Sequence, residues 1–233
     1  DRWLLQVFGG SIQQGFYGLS YHIGVMCFVF TGAMTPLIIR DYSIAYAQKD
    51  IKRIAGLLRR YVPMLYAITA YFSCFIAVNS ENVVLILGGS EYKTAGLAVM
   101  IMAFYPIHQT YGQLSSSLLL SVNKTKLYSN IGISLSILGV ITSYFLLAPH
   151  RLMGLGLGAN GFALKTVFIN IISANCMLYF NCRFLGVSFW KYLCHQALPV
   201  TCFILLALFS GFISRVCFKQ GSNVLFNLFI VIY

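Results

Sequence analysis

The sequence predicts an all-α, polytopic transmembrane helical bundle. Only 9% of its 233 residues are charged and 59% are hydrophobic, whereas soluble domains average about 25% charged residues. Five runs without a charged residue reach the length of about 20 residues that a helix needs to span a bilayer. These runs are 3–39, 61–80, 94–123, 127–150 and 192–214. This distribution excludes an ordinary water-soluble globule.

The runs indicate about six to seven spans in a single transmembrane domain covering residues 1–233. Glycines interrupt the first run near its start, so we expect the tail of one helix over 1–10, a polar turn, and a full helix over about 16–39. The other predicted spans are 61–79, 95–120, 127–149, 161–182 and 197–214. The apolar stretch 224–233 is too short to cross a bilayer, and the chain starts on Asp1. We therefore interpret it as a fragment of a longer protein.

The basic residues predict the topology. Apolar residues recur with a helical period within 40–60, which also holds six Lys and Arg residues, a pattern typical of an amphipathic helix on a membrane surface. The connections that follow hold one, two, one and two basic residues in turn. By the positive-inside rule, segments 40–60, 123–126 and 183–195 are cytoplasmic. Contacts with anionic membrane lipids then account for the net charge of +11, and no nucleic-acid partner is predicted.

The side chains offer no catalytic set. The four histidines are scattered, and four of the five acidic residues lie in polar connections. No cysteine pair has the spacing of a metal site, and we expect the seven cysteines to pack as small hydrophobic residues. The glycine-rich run 154–161 lies between two predicted spans, so a tight turn is expected there rather than a nucleotide site. The sequence predicts neither an enzyme nor a bound cofactor or metal.

Three charged residues fall within predicted spans. Asp1 and Arg2 open the first helix segment, and Lys165 lies about one turn inside the span that starts near residue 161. Charged side chains at membrane depth normally face a bundle interior or a water-filled cavity. Asp1 and Arg2 are either cavity residues or an ion pair at a helix end. Lys165 either contacts a substrate or extends to the outer interface.

A polar patch with a proline interrupts the span 95–120. It contains His108, Gln109 and Gln113, which cannot all face lipid without unsatisfied polar groups. Gln109 and Gln113 are four residues apart and share a helix face. The patch is either a functional groove or a set of hydrogen bonds between helices.

Five segments carry a family resemblance, and they lie at residues 1–5, 14–20, 35–40, 88–95 and 154–163. They resemble Wzx-type polysaccharide flippases, which move lipid-linked oligosaccharides and belong to the multidrug/oligosaccharidyl-lipid/polysaccharide (MOP) exporter superfamily. Residues 1–5 and 14–20 resemble the start of the second half of these proteins, and 35–40 resemble the exit of the same helix. Residues 88–95 are similar to a Gly-x-x-Tyr-x-x-Ala element of the family, and 154–163 to its glycine-rich turn. The order and spacing of these segments carry the resemblance over about residues 1–185.

The resemblance implies that the chain is the C-terminal half of a transporter with two six-helix lobes around a central cavity. Such proteins move undecaprenyl-diphosphate-linked oligosaccharide from the cytoplasmic to the outer leaflet of the bacterial inner membrane, for O-antigen, capsule or exopolysaccharide synthesis. Other polysaccharide-assembly proteins are the implied partners. The diphosphate needs cationic residues, and Arg2 is our first candidate, with Lys165 second.

Two alternatives stay open. A multidrug/cation antiporter of the same superfamily would need an intramembrane carboxylate for proton or sodium coupling. Asp1 is the only acidic residue within a predicted span. A membrane-embedded polysaccharide polymerase would be expected to carry a large extramembrane loop or a catalytic His–Asp pair, and the sequence shows neither.

Overall fold

The computed structural model describes residues 1–217, with side chains described up to residue 211. All secondary structure in this part of the chain is helical, which confirms the all-α class. The α-helices are α1 (Arg2–Met26), α2 (Val29–Ala47), α3 (Ile51–Val78), α4 (Ser80–Leu87), α5 (Gly96–Met102), α6 (Tyr105–Ser121), α7 (Thr125–Leu147), α8 (Gly158–Leu185) and α9 (Phe189–Cys217). Two short 3₁₀ helices cover Ser90–Ala95 and His150–Leu152.

Four helices of the described part, α3, α7, α8 and α9, are each long and apolar enough to cross a membrane. The pair α1–α2, which is bent by 57°, makes a fifth when it is counted as one span. The predicted span 95–120 is interrupted instead, because α5 ends and α6 begins on either side of Ala103 and Phe104. The predicted apolar stretch 224–233 lies outside the described residues.

The chain folds back on itself inside α1. Gly10 has φ 75° and ψ −178°, a conformation outside the helical region. In an unbroken helix, Arg2 and Tyr21 would lie about 28 Å apart at 1.5 Å per residue. The Arg2 guanidinium carbon instead lies 4.8 Å from the centroid of the Tyr21 ring. The predicted turn after residues 1–10 is therefore confirmed, and it places the start of the chain beside the helix that follows.

The prediction of one surface helix across 40–60 is wrong. Residues 40–47 continue α2, and the backbone then turns at Lys49, which has φ 57°. The Asp50 carboxylate accepts a hydrogen bond from the Arg53 backbone N–H at 2.9 Å and starts α3. α3 has 28 residues and is thus about 42 Å long, so its charged first turns extend beyond a hydrocarbon core of about 30 Å.

The three segments predicted as cytoplasmic lie at one end of the bundle. The Ser121 hydroxyl donates to the Ile39 carbonyl at 3.4 Å, which joins the end of α6 to α2. The Lys124 ammonium lies 3.8 Å from the centroid of the Phe184 ring, which joins the α6–α7 turn to the end of α8. Ten basic and two acidic residues fall within 40–60, 123–126 and 183–195. The structure thus gathers most of the positive charge at a single end.

The α7–α8 connection is the tight turn that the glycine-rich run predicts. The Leu155 and Gly156 backbone N–H groups donate to the carbonyls of Phe145 and Ala148 at 2.8 and 2.9 Å. These bonds satisfy carbonyls at the end of α7 that have no partner within the helix. Gly156 has φ 61°, a conformation that favours glycine. The turn fixes where α8 starts, and α8 carries Lys165.

Candidate functional site

An ion pair joins α8 to the start of the chain inside the bundle. The Lys165 ammonium donates a hydrogen bond to the Asp1 carboxylate. The Lys165 side chain is only 9% exposed, and that of Asp1 is 28% exposed. The Lys165 side chain is therefore packed inside the protein, and a substrate contact stays a prediction. Its charge is compensated within the protein.

A glycine on α7 makes room for this pair. A Cβ atom built on Gly139 would lie 3.3 Å from Cε and 3.4 Å from Nζ of Lys165, and 3.7 Å from the Asp1 carboxylate. Gly139 itself is buried. The ion pair is thus enclosed by three helices, and α7 contributes space rather than a polar group.

Lys165 and Arg2 both lie some distance along their helices from the nearest turn. Lys165 is seven residues after the start of α8 at Gly158, or about 10 Å along the helix axis. Arg2 is eight residues before the turn at Gly10, or about 12 Å. The two distances agree, so the charges lie about two to three helical turns from the end of the bundle where α1 turns and α8 begins.

Arg2 adds a second cation in an aromatic setting. Its guanidinium carbon lies 5.4 and 4.8 Å from the ring centroids of Tyr17 and Tyr21. Tyr17 packs edge-on against Phe162 at 4.6 Å, and Tyr21 lies 5.9 Å from Tyr105. Arginine over aromatic faces is a favourable arrangement. The side chains of Asp1, Arg2 and Lys165 together carry one positive charge in excess. Arg2 is exposed, so a ligand can reach its guanidinium group.

A second polar cluster lies deeper along the bundle, and we call it the polar junction. It consists of Tyr66 on α3, His108 and Tyr111 on α6, Asn175 on α8, and His195 and Gln196 on α9. The Tyr111 hydroxyl and His195 Nδ1 are 3.0 Å apart, and the Tyr66 hydroxyl donates to the Gln196 backbone carbonyl at 2.6 Å. The Gln196 side-chain N–H group donates to the Asn175 amide oxygen at 2.9 Å. Four helices thus meet through hydrogen bonds.

The predicted site residues therefore occupy two places. Asp1, Arg2 and Lys165 form one cluster, and His108 belongs to the polar junction. Lys165 and Asn175 are ten residues apart on α8, or about 15 Å along its axis. Gln109 lies beside Gly112 where α6 contacts α8, and Gln113 contributes its backbone carbonyl, which accepts bonds from two serine hydroxyls. The structure does not bring the two glutamines to the charged cluster.

Sequence reasoning missed three members of the polar junction, Tyr66, His195 and Gln196, whereas Tyr111 lies within the predicted polar patch between Gln109 and Gln113. A signal was present, since His195 and Gln196 are polar neighbours inside the charge-free run 192–214 and stand just before Pro199. Polar residues within a membrane span, like charged ones, normally face the interior of the bundle. Asn170 and Asn175 also link helices, since the Asn170 side-chain N–H group donates to the Tyr105 carbonyl at 3.0 Å and Asn175 pairs with Gln196.

Comparison with protein-family models, with curated proteins and with solved structures finds no match.

Replacing Gly139 by Leu is expected to disrupt the Lys165–Asp1 pair. The added side chain would enter space held by Cε and Nζ of Lys165, and overpacking of this kind typically costs about 1–3 kcal/mol. Thermal unfolding of the purified protein in detergent would measure the loss. Gly132→Leu on the same helix is the matched control, because a Cβ atom there meets nothing within 4 Å. Equal melting temperatures for the two variants would contradict the packing described here.

Proposed function

We propose that the protein is a flippase that moves undecaprenyl-diphosphate-linked oligosaccharide repeat units across the bacterial inner membrane for surface polysaccharide synthesis. The basic end of the bundle faces the cytoplasm in this proposal. The observation that carries it is Arg2, which is exposed and has no carboxylate partner within residues 1–211. It lies beside a lysine whose charge Asp1 compensates. The resemblance of residues 1–185 to Wzx-type flippases supports the same function.

The chemistry of the site suits an anionic headgroup attached to a sugar. A diphosphate leaving water needs a cation that compensates its charge, and the fork of N–H donors on arginine matches phosphate oxygens. Tyr21 and Tyr105 lie next to Arg2 and offer aromatic faces for a sugar ring. The polyprenyl chain is apolar and remains in the bilayer. In this arrangement Arg2 contacts the substrate and Lys165 is a positioning residue, which holds the start of the chain against α8.

Arg2→Ala in the intact protein is expected to lower the flipping rate by about 10- to 100-fold, because hydrogen bonds to charged groups contribute about 1.5–3 kcal/mol. The assay uses proteoliposomes with lipid-linked repeat units, at equal protein level. Arg151→Ala is the matched control, since Arg151 is also an exposed arginine but lies in the α7–α8 connection. Equal flipping rates for Arg2→Ala and the unchanged protein would remove Arg2 from the site.

A deletion strain tests the function as a whole. Lipid-linked repeat units are expected to accumulate on the cytoplasmic side, and surface glycan is expected to be lost. Unchanged surface polysaccharide would overturn the flippase proposal.

An antiporter of the same superfamily is the second candidate, and the intramembrane Asp1 carboxylate is the observation that favours it. Coupling by a carboxylate requires that it bind and release a cation, whereas Asp1 forms an ion pair with Lys165. This pairing favours the flippase. Cation-dependent drug efflux together with normal surface glycan would favour the antiporter.

A further inference from the structure

One face of α6 stays half-buried in the packed bundle, and this face is polar along its length. Between Tyr105 and Leu119 each residue is either buried or half-buried, and the half-buried positions recur with the period of a helix. We call this face the polar stripe. Its members are Tyr105, His108, Gln109, Gly112, Gln113 and Ser116. An aliphatic side chain occupies none of these positions.

The polar stripe differs from a helix face that is turned towards lipid. The second half of α7 shows what such a face contains. Its exposed residues between 137 and 145 are Ile137, Leu138, Val140, Ile141, Tyr144 and Phe145. α6 packs instead against α3 and α8, which are long and apolar enough to cross a membrane. Polar side chains on a helix in this setting face the bundle interior or a water-filled cavity.

The two glutamines of the polar stripe have unused hydrogen-bonding groups. Neither the Gln109 nor the Gln113 side-chain amide forms a hydrogen bond with another residue of 1–211, although both side chains are half-buried. Each amide has an acceptor oxygen and an NH₂ group with two donors, and polar groups inside a protein normally find partners. The sequence alone is compatible with a functional groove or with hydrogen bonds between helices. The free amides favour the groove.

The polar stripe begins at the charged site. The Tyr105 ring lies 5.9 Å from the Tyr21 ring, and the Arg2 guanidinium carbon lies 4.8 Å from that same Tyr21 ring. Gln109 and Gln113 follow Tyr105 by four and eight residues, or by about 6 and 12 Å along the helix axis. A ligand that is held at Arg2 and extends along α6 therefore reaches Gln109 before Gln113.

We propose that the polar stripe binds the sugar rings of the lipid-linked oligosaccharide, in the order in which they follow the diphosphate. The proposal deepens the flippase function and rests on it for the identity of the lipid. Sugar hydroxyl groups both donate and accept hydrogen bonds, and the amides of Gln109 and Gln113 match them in both respects. Gly112 lies between the two glutamines and has no side chain, so a ring can approach the helix closely there.

The length of the polar stripe indicates an oligosaccharide rather than a single sugar. Tyr105 and Ser116 are eleven residues apart, or about 16 Å along the helix axis. One sugar ring beside Tyr105 leaves the far end of the stripe free. The second and later sugars are therefore the ones that contact Gln113.

The test compares the binding of three lipids to the intact protein in nanodiscs. The lipids are undecaprenyl diphosphate, the same lipid with one sugar, and the same lipid with the complete repeat unit. Gln113→Met should weaken binding of the complete repeat unit about fivefold, the effect of one neutral hydrogen bond, and leave binding of the other two lipids unchanged. Gln109→Met should also weaken binding of the complete unit about fivefold. Arg2→Ala should weaken binding of all three lipids alike, because they share the diphosphate.

Methionine is chosen because it keeps the length of glutamine and lacks the amide. Gln48→Met is the matched control, since Gln48 is an exposed glutamine at the α2–α3 turn, and it should bind all three lipids as the unchanged protein does. Two results would overturn the proposal. One is a complete repeat unit that binds no tighter than undecaprenyl diphosphate. The other is equal binding of the complete unit by the unchanged protein and by both Gln109→Met and Gln113→Met.

Thermal unfolding without ligand separates a sugar site from a contact between helices. Neither amide bonds within residues 1–211, so Gln109→Met and Gln113→Met should keep the melting temperature of the unchanged protein. A clear loss in either variant would show that the glutamine bonds to another part of the intact protein, and this result would also overturn the proposal.

Flipping in proteoliposomes distinguishes this proposal from the flippase function. At substrate concentrations below saturation, both glutamine variants should flip the complete repeat unit about fivefold more slowly, in step with their weaker binding. Flipping that depends on Arg2 but is unchanged in both glutamine variants would overturn the sugar site and leave the flippase function standing. Binding that depends on Gln109 and Gln113 in a protein that flips nothing would overturn the flippase function and leave the sugar site standing.

Discussion

Lys165→Met in the intact protein is expected to lower the free energy of unfolding by about 3 kcal/mol and to abolish most flipping activity. The substitution leaves the Asp1 carboxylate inside the bundle without a partner, and removing one member of a buried ion pair typically costs about 3–5 kcal/mol. We expect the lower end of this range, because 28% of the Asp1 side chain is exposed. The measurements are thermal unfolding in detergent and flipping in proteoliposomes.

The double variant Asp1→Asn with Lys165→Met is the control for charge. It removes both members of the pair, and replacing a whole buried pair by uncharged groups is often neutral, so stability should return close to that of the unchanged protein. Lys93→Met is the control for lysine loss as such, since Lys93 is exposed. A double variant as unstable as Lys165→Met alone would show that the pair is not what holds the first segment against α8.

Gly154→Ala is expected to prevent the α7–α8 turn from forming. A Cβ atom at this position would lie 2.1 Å from the Ala148 carbonyl oxygen and 2.5 Å from its carbon. Both are backbone atoms, so the strain cannot be relieved by rotating a side chain. Overpacking usually costs about 1–3 kcal/mol and occasionally more, and we expect a value at or above the upper end.

The effect of Gly154→Ala should reach the charged site. The turn sets the start of α8, and Lys165 lies seven residues further on. We therefore expect both a lower melting temperature and weaker protection of Lys165 from amine-modifying reagents. Gly32→Ala is the control, because a Cβ atom there meets nothing within 4 Å. Modification of Lys165 at the same rate in both variants would mean that the turn does not position the site.

The helices were predictable because hydropathy is a local property. A run of about 20 apolar residues has few alternatives to a membrane helix, and α3, α7, α8 and α9 each overlap a predicted span. The gathering of 40–60, 123–126 and 183–195 at one end was also predictable. Successive spans alternate in direction, so every second connection lies on the same side.

The failure at 40–60 has a specific cause. The apolar residues there keep a helical period through a turn, and a periodic pattern does not reveal a break of three residues. Asp50 caps the start of α3 through the backbone N–H group of Arg53, three residues later. The apolar period runs past this cap and does not reveal it. The hydropathy of the sequence did not reveal the interruption between α5 and α6 either. Pro106, in the first turn of α6, was the available signal.

The low charge content by itself determined that the chain is a helical membrane bundle, and it singled out Asp1, Arg2 and Lys165 as charges that need an explanation. Only the tertiary structure decided that Lys165 pairs with Asp1, that Arg2 has no carboxylate partner within residues 1–211, and that His108 lies beside Gln196 on α9. These partners are separated by 164 residues for Lys165 and Asp1. Such pairings depend on which helix faces which, and packing between helices leaves no local pattern in the sequence.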